Sequence, residues 1–269
     1  MTAKIPVNLG SVQKTLFLPL WGRAWETIKA EPMLVDPTAV RILEQVDLDF
    51  SQTARKMDDL TQIAWIKRSL ISDRVIREFL QKVPDGTVVN IGCGLDTTFE
   101  RVDNGRLRWY DLDMPDVIKL RSLFMEENKR RSMIASSFLD TWWLEEITVE
   151  ENVFFLAAGI FYYFEEDTIK EFVLRLVDRF PGSELLFDAS SPIGVRVANK
   201  KVIENSGLDE KSNLVWGLEK KEDLLAWHER LRILHTYYYY QSHVHGLRNK
   251  LMGLLSDYLG IQYMIHLGL

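Results

Sequence analysis

Val88-Val89-Asn90-Ile91-Gly92-Cys93-Gly94-Leu95-Asp96-Thr97 is the stretch on which the reading of this chain turns. A run of strand-forming residues ends in Gly-x-Gly. Glycine at those two places lets the backbone turn sharply and lets a ligand approach where a Cβ would collide. In open parallel sheets, nucleotide-like ligands bind at the carboxyl ends of the strands, where strand order reverses, so the first strand-to-helix turn is the place for a site. A dinucleotide fingerprint needs a third glycine three residues after the second, and Thr97 stands there instead. A cofactor without a pyrophosphate is therefore favoured.

Outward from this turn, short β-rich runs recur at Thr87–Ile91, Leu107–Asp111, Ser132–Ala135, Asn152–Ala157 and Glu184–Phe187, with helical patterns between most of them. Such alternation implies parallel strands joined by crossover helices. The clearest helix is Glu166–Phe180: Ile169, Phe172, Val173, Leu176, Val177 and Phe180 form one stripe, acids sit at its start, and Pro181-Gly182 stops it. Upstream, the first 85 residues read as helical over Val12–Lys29, Thr38–Val46 and Asp58–Leu80, with Asp36-Pro37 as a cap and first turn. Downstream of Ser190-Ser191-Pro192, a polar and mostly helical segment runs to Leu231. Two strand-like runs, Ile233–Gln241 and Ile261–Leu267, then flank a helix over His245–Leu259.

Five parallel strands followed by a terminal strand pair make a seven-stranded, mostly parallel, Rossmann-like α/β sheet with helices on both faces, the class I methyltransferase arrangement. The expected organisation is one domain over residues 1–269. It comprises an N-terminal helical lid and support (1–85), a cofactor-binding core (86–190), a helical cap before strand six (191–231) and the terminal strand pair (232–269). Tyr237 to Tyr240 fit an inner strand with alternate rings packed on opposite faces. Phe17, Trp21 and Trp25 suggest a helix lying across the cleft, or else a satellite helix on the outside.

Composition narrows the function. The 269 residues carry 33 Lys+Arg against 39 Asp+Glu, a formal charge of −6, so the net positive field that non-specific nucleic-acid binding needs is missing. No run of about eighteen apolar residues suggests a membrane span, and no signal peptide is read at the N-terminus. The single cysteine, Cys93, fits a cytoplasmic protein and cannot form an intrachain disulfide.

S-adenosyl-L-methionine satisfies the glycine turn: its amino-acid end can sit there while its ribose hydroxyls seek an acid at the end of the next strand. Asp111 and Asp113 occupy that place. Cys93 is then a small side chain beside the cofactor. Gly92-Cys93-Gly94-Leu95-Asp96-Thr97, followed by Asp113-Met114-Pro115-Asp116-Val117, resembles the Gly-x-Gly-x-Asp-Thr and Asp-x-Pro-x-Val motifs of the leucine carboxyl methyltransferase family, whose bacterial members include tetracenomycin-type polyketide O-methyltransferases. The resemblance covers roughly Val12 to Leu267.

That resemblance implies an S-adenosyl-L-methionine-dependent O-methyltransferase and assigns roles to matching positions. Arg68 would hold the cofactor carboxylate. On residue chemistry alone, Arg68 shares a helical face with Ala64, Ile71 and Val75 and needs a charged partner, or else snorkels at the edge of the stripe. The family motif selects Asp113 for the ribose, strand geometry favours Asp111, and both are kept. Ser137 and Phe138 would flank the adenine. Ala158 stands where relatives have a glutamate, so the expected carboxylate is missing.

Tyr162, Tyr163, Asp188, His228, His235, His243 and His245 are candidates for a base or an acceptor contact; Tyr162 and Tyr163 lead. His243 and His245 alternate as strand neighbours would, but no third ligand is evident, so no metal site is expected. An enclosed, aromatic acceptor pocket would suit a small molecule. The competing readings are methylation of a partner protein's C-terminal leucine carboxylate and, because of Ala158, a methyltransferase-like protein that binds without catalysis.

Overall fold

The computed structural model describes residue 4 and residues 11–47, 58–205, 213–242, 244 and 246–269. Its centre is a seven-stranded sheet of β1 (Thr87–Ile91), β2 (Arg108–Asp113), β3 (Arg131–Ala135), β4 (Val153–Ala157), β5 (Glu184–Ala189), β6 (Arg232–Tyr238) and β7 (Tyr263–Gly268). The order across the sheet is β3-β2-β1-β4-β5-β7-β6. β1 to β5 pair in parallel, and β7 runs antiparallel to both β5 and β6. Strand order therefore reverses between β1 and β4, which places the turns after these two strands side by side.

Neighbouring residues of the central strands are buried on opposite faces. Val89, Phe155 and Leu185 belong to one core, and Val88, Phe154 and Leu186 to the other. This is why the strands read as continuous apolar runs. The first core takes in Ile169, Phe172, Val173, Leu176 and Val177 from the helix Glu166–Arg179, together with Trp216, Leu218 and Leu224 from the segment ahead of β6. The second takes in Val75, Ile76, Phe79 and Leu80 from the long helix Asp59–Lys82. Each such side chain, fully buried, stabilises by about 1.5–3 kcal/mol relative to exposure.

The helices, in chain order, are α1 (Ser11–Thr27), α2 (Pro37–Gln45), α3 (Asp59–Lys82), α4 (Thr98–Val102), α5 (Pro115–Arg121), α6 (Trp143–Glu146), α7 (Glu166–Arg179), α8 (Pro192–Asn205) and α9 (Leu247–Tyr258). Asp36 caps α2 by accepting from Ala39 N at 2.9 Å, with Pro37 in the first turn as the dipeptide suggested. Asp58 does the same for α3 through Thr61 N.

Two expectations are corrected. β2 runs past Asp111 to Asp113, and Ser136 N still donates to Asp113 O at 2.9 Å, so the strand continues through a buried acid. Arg121 and Arg131 neutralise that acid, which is why an aspartate tolerates the middle of a parallel sheet. The tyrosine run is also misread as an inner strand, because β7 inserts between β5 and β6 and leaves β6 at the edge. Tyr237 and Tyr238 end β6, while Tyr239 and Tyr240 lie beyond it and are buried.

Candidate cofactor site

The turn after β1 is held from every side. Gly92 and Gly94 have φ of +62° and +47°, the left-handed region where a side chain is strained. Gly92 N and Cys93 N both donate to Leu112 O of β2, at 2.8 and 3.2 Å. A Cβ on Gly92 would lie 2.4 Å from Ile160 Cδ1, and one on Gly94 would lie 3.2 Å from a methyl of Leu16. The glycines are therefore required by two protein segments closing over the turn, the loop after β4 and helix α1.

Asp113 stands at the end of β2 with Oδ2 accepting from Gly94 N at 2.7 Å and Oδ1 from Met114 N at 2.7 Å. Burial pushes its carboxyl above the usual value, against the pull of these two N–H groups. Each oxygen keeps a further lone pair for a hydroxyl. Asp111 is different. It is fully enclosed, and its carboxylate accepts from Trp109 Nε1 at 2.9 Å, Arg121 Nη2 at 3.0 Å and Arg131 Nε at 2.7 Å. The expectation that Asp111 meets a ribose is thus corrected: it anchors the frame inside the sheet and does not reach the strand end.

Arg121, which sequence reasoning missed, links the two. Fully buried on α5, it donates Nη1 to Gly94 O at 2.8 Å while pairing with Asp111. Arg23 of α1 donates to Leu95 O at 2.9 Å and pairs with Asp36, which also pairs with Arg101. The Asp-Thr half of the motif belongs to this network. Thr97 Oγ1 bonds Asp36, and Asp96 accepts from Thr98 N at 3.0 Å and Asn90 Nδ2 at 3.1 Å. Burial alone would raise Asp96, but Arg23, Arg101 and Arg121 outweigh it and hold its pKa at about 2. An arginine closing a helix next to Leu120 was the only available signal for Arg121, and an exposed helix terminus gives the same pattern.

Across the switch point, the turn after β4 meets α3. Arg68 Nη1 lies 3.1 Å from Asp188 Oδ2 at the end of β5 and 3.5 Å from Tyr162 Oη. Asp188 is fully buried, whereas the Arg68 side chain keeps 15% of its exposure. The charged partner that an arginine on an apolar stripe requires is therefore Asp188. Its other oxygen accepts from Gly159 N, so one carboxylate fixes both Arg68 and the glycine after Ala158. A Cβ on Gly159, at φ +86°, would come within 2.9 Å of Arg68 Nη1. Burial opposes the charge on Arg68, and the paired Asp188 carboxylate more than restores it.

The remaining expected residues divide. Tyr162 is buried, burial followed by the nearby Asp188 charge pushes its phenol well above the usual range, and its oxygen lies 3.5 Å from Arg68 Nη1. Tyr163, its ring 4.9 Å from that of Tyr162, is 42% exposed. Cys93 is buried with its thiol pushed far up by burial, which makes it an inert small side chain in the turn. Ser137 is half-buried beyond β3, and its Oγ accepts from Leu139 N at 3.2 Å.

Phe138 departs from its expected place beside an adenine. It turns into the aromatic core with ring centroids 4.9 Å from both Phe164 and Phe172. Ala158 is half-buried at the end of β4. Of the histidines, His228 accepts from Arg230 N and His235 packs on Tyr237 of the edge strand, both away from the turns. His243 and His245 lie outside the described residues.

Helix α1 covers the turn through Leu16, Phe17 and Arg23 and not through its tryptophans. Trp21 and Trp25 stack on each other at 6.0 Å and line an outward apolar groove of about 220 Å³ with α2. In the segment before β6, Val215 N donates to Tyr162 O at 2.7 Å, and Trp216 packs on Phe187 at 6.3 Å. Part of the expected cap, residues 206–212, lies outside the described residues.

The residues fit S-adenosyl-L-methionine: a glycine cradle at the switch point, an acceptor carboxylate on Asp113, and Arg68 balanced by Asp188. The leucine carboxyl methyltransferase family model matches residues 17–177. Tetracenomycin polyketide synthesis O-methyltransferase TcmP of Streptomyces glaucescens is 32% identical over 193 residues, covering 71% of each chain. The S-adenosyl-L-methionine-dependent methyltransferase dpfgK of Gibberella zeae is 26% identical over 259 residues, 86% of this chain and 85% of that one. In fold, the chain is similar to a candidate methyltransferase from Thermobifida fusca YX, with a TM-score of 0.58, 17% identity and coverage of 92% and 93%. This chain belongs to the leucine carboxyl methyltransferase family and is, with it, a class I S-adenosyl-L-methionine-dependent methyltransferase.

Proposed function

We propose that this enzyme methylates an oxygen of a small organic acceptor, with Arg68, Gly92, Gly94 and Asp113 as its cofactor-binding residues. The likeness to TcmP, named for O-methylation in polyketide synthesis, carries the acceptor class. When bound, S-adenosyl-L-methionine supplies a methyl group already activated on a sulfonium. The chain's own residues then have to orient it. Asp113 accepts the ribose hydroxyls, Arg68 takes the carboxylate, and the Gly92–Gly94 turn presents backbone where side chains would intrude. Alignment of this kind supplies about 7–11 kcal/mol in favourable cases.

Among the described residues around Arg68 the only titratable candidates for a base are phenols raised by burial and an aspartate already bonded to Arg68 and Gly159. The acceptor oxygen therefore ionises by its own acidity, and rates should follow the acceptor's pKa across pH. An acidic phenol or a carboxylate is the class of acceptor that fits. A cytoplasmic setting, supported by the single buried cysteine, and an acceptor other than nucleic acid, supported by the net charge of −6, complete the proposal.

The test is methyl transfer from labelled S-adenosyl-L-methionine to a panel of polycyclic phenols, aryl carboxylic acids and a peptide ending in leucine. Transfer to the phenols or aryl acids is expected. Transfer to the peptide alone would replace this reading with protein carboxyl methylation, and cofactor binding with transfer to none would replace it with a binding protein.

A further inference from the structure

The tyrosine run holds one oxygen that packing does not account for. Tyr239 is 1% exposed, its ring in the core that also holds Leu156, Leu186 and Met264, with Ala158 packed at the margin. Among the described residues its hydroxyl is buried with no hydrogen-bond partner. A buried hydroxyl left unpaired is unfavourable, and a phenylalanine would fill the same space without it.

The position of the ring is fixed. Tyr239 N donates to Asp257 Oδ1 at 3.2 Å and Tyr240 N to Asp257 Oδ2 at 3.0 Å, tying the segment after β6 to α9. Tyr240 Oη donates to Leu60 O at 2.9 Å, tying it to α3. Register puts Tyr238 opposite Tyr263, and Tyr263 opposite Ala189, so Tyr239 leaves the sheet at the end of β5 that carries Asp188, and its ring packs in the core that holds Leu156 of β4 and Leu186 of β5.

We infer that the Tyr239 hydroxyl is a binding group for the amino-acid end of the cofactor, donating to the carboxylate beside Arg68. This rests on the methyltransferase reading above. The cluster has the composition an amino acid needs. Arg68 and a phenolic O–H face an anion, and Asp188 supplies the compensating negative charge near an ammonium. Asp188 already bonds Arg68 and Gly159 N, and the Tyr239 O–H, with no partner among the described residues, is a buried donor open to a ligand oxygen. Tyr239 thereby becomes a cofactor-positioning residue carried by the edge of the sheet.

The test compares wild type with Tyr239→Phe by calorimetric titration of two probes, S-adenosylhomocysteine and 5′-methylthioadenosine, which lacks the amino-acid end. The expected result is that the variant binds S-adenosylhomocysteine roughly tenfold more weakly, as for loss of a bond to a charged group, and binds methylthioadenosine as wild type does. The ligand-free unfolding midpoint should stay level or rise, since no protein partner is lost. Equal affinity of both proteins for S-adenosylhomocysteine would overturn the assignment, as would equal weakening toward both probes. Wild type that binds neither probe would overturn the methyltransferase reading itself, and that failure is visible before any variant is made.

Discussion

The two turns that meet at the switch point are built differently. After β1, the carbonyls of Gly94 and Leu95 are held by Arg121 and Arg23, and Gly94 N by Asp113. After β4, one buried carboxylate, Asp188, holds Gly159 N and a partly exposed Arg68, with an unpaired Tyr239 hydroxyl in the same cluster. The carbonyls of the first turn are held by protein while Asp113 keeps lone pairs for a hydroxyl; the second turn leaves Arg68 partly exposed and the Tyr239 hydroxyl unpaired. Preorganising the half that shapes the cradle, and leaving charged groups open in the half that grips the amino acid, divides rigidity from affinity.

The largest effect should come from breaking the frame. Arg121→Met leaves the Gly94 carbonyl and one side of Asp111 unpaired inside the protein, and removing one partner of a buried pair costs about 3–5 kcal/mol. The unfolding midpoint should fall by roughly 6–20 °C for a chain of this size. Arg68→Met also strands a buried carboxylate, Asp188, but one whose partner is partly exposed and whose other oxygen keeps Gly159 N, so it should lower the midpoint by less, and an equal loss would erase the contrast.

Next is Gly92→Ala, which combines a left-handed backbone with a clash at Ile160; together they should cost roughly 2–4 kcal/mol in chemical denaturation. Combining it with Ile160→Val removes the clashing Cδ1 and should recover the steric share only. Full recovery would show that backbone strain contributes nothing.

Acid sharpens the same comparison. Asp96 has a folded pKa of about 2 against an ordinary 3.8. Its contribution is present above pH 3.8 and lost as pH falls toward 2, about 2 kcal/mol over that window. Asp96→Asn should flatten the stability profile there, and an unchanged profile would remove Asp96 from the frame.

The smallest effect is expected outside both turns. Trp25→Ser, which removes a half-exposed ring stacked on Trp21, should cost about 1 kcal/mol and leave cofactor affinity alone.

The strands, the terminal pair and the Gly-x-Gly turn were legible because they rest on local signals: apolar runs, stop residues and glycine placement. What escaped was decided at long range. Asp111 reads as a strand-end acid until Arg121 and Arg131, from separate elements, enclose it. Phe138 reads as a pocket residue until Phe164 and Phe172 turn it into the core. The tyrosine run changes meaning once β7 inserts ahead of β6. Arg68 was visible as an arginine in need of a partner, but Asp188, 120 residues further along the chain, could not be chosen over other acids from spacing alone. Asp113 and Gly94 were legible as a pair by motif, and their 2.7 Å bond gives that motif its physical content.

The most direct measurement is calorimetric titration of the full chain and of Asp113→Ala with S-adenosylhomocysteine, with circular dichroism to verify that both are folded. The account predicts one site per chain in wild type and a roughly tenfold to hundredfold weaker site in the variant, as for loss of charge-assisted hydrogen bonds. Equal affinity in the two folded proteins would contradict the cofactor site described for the switch point.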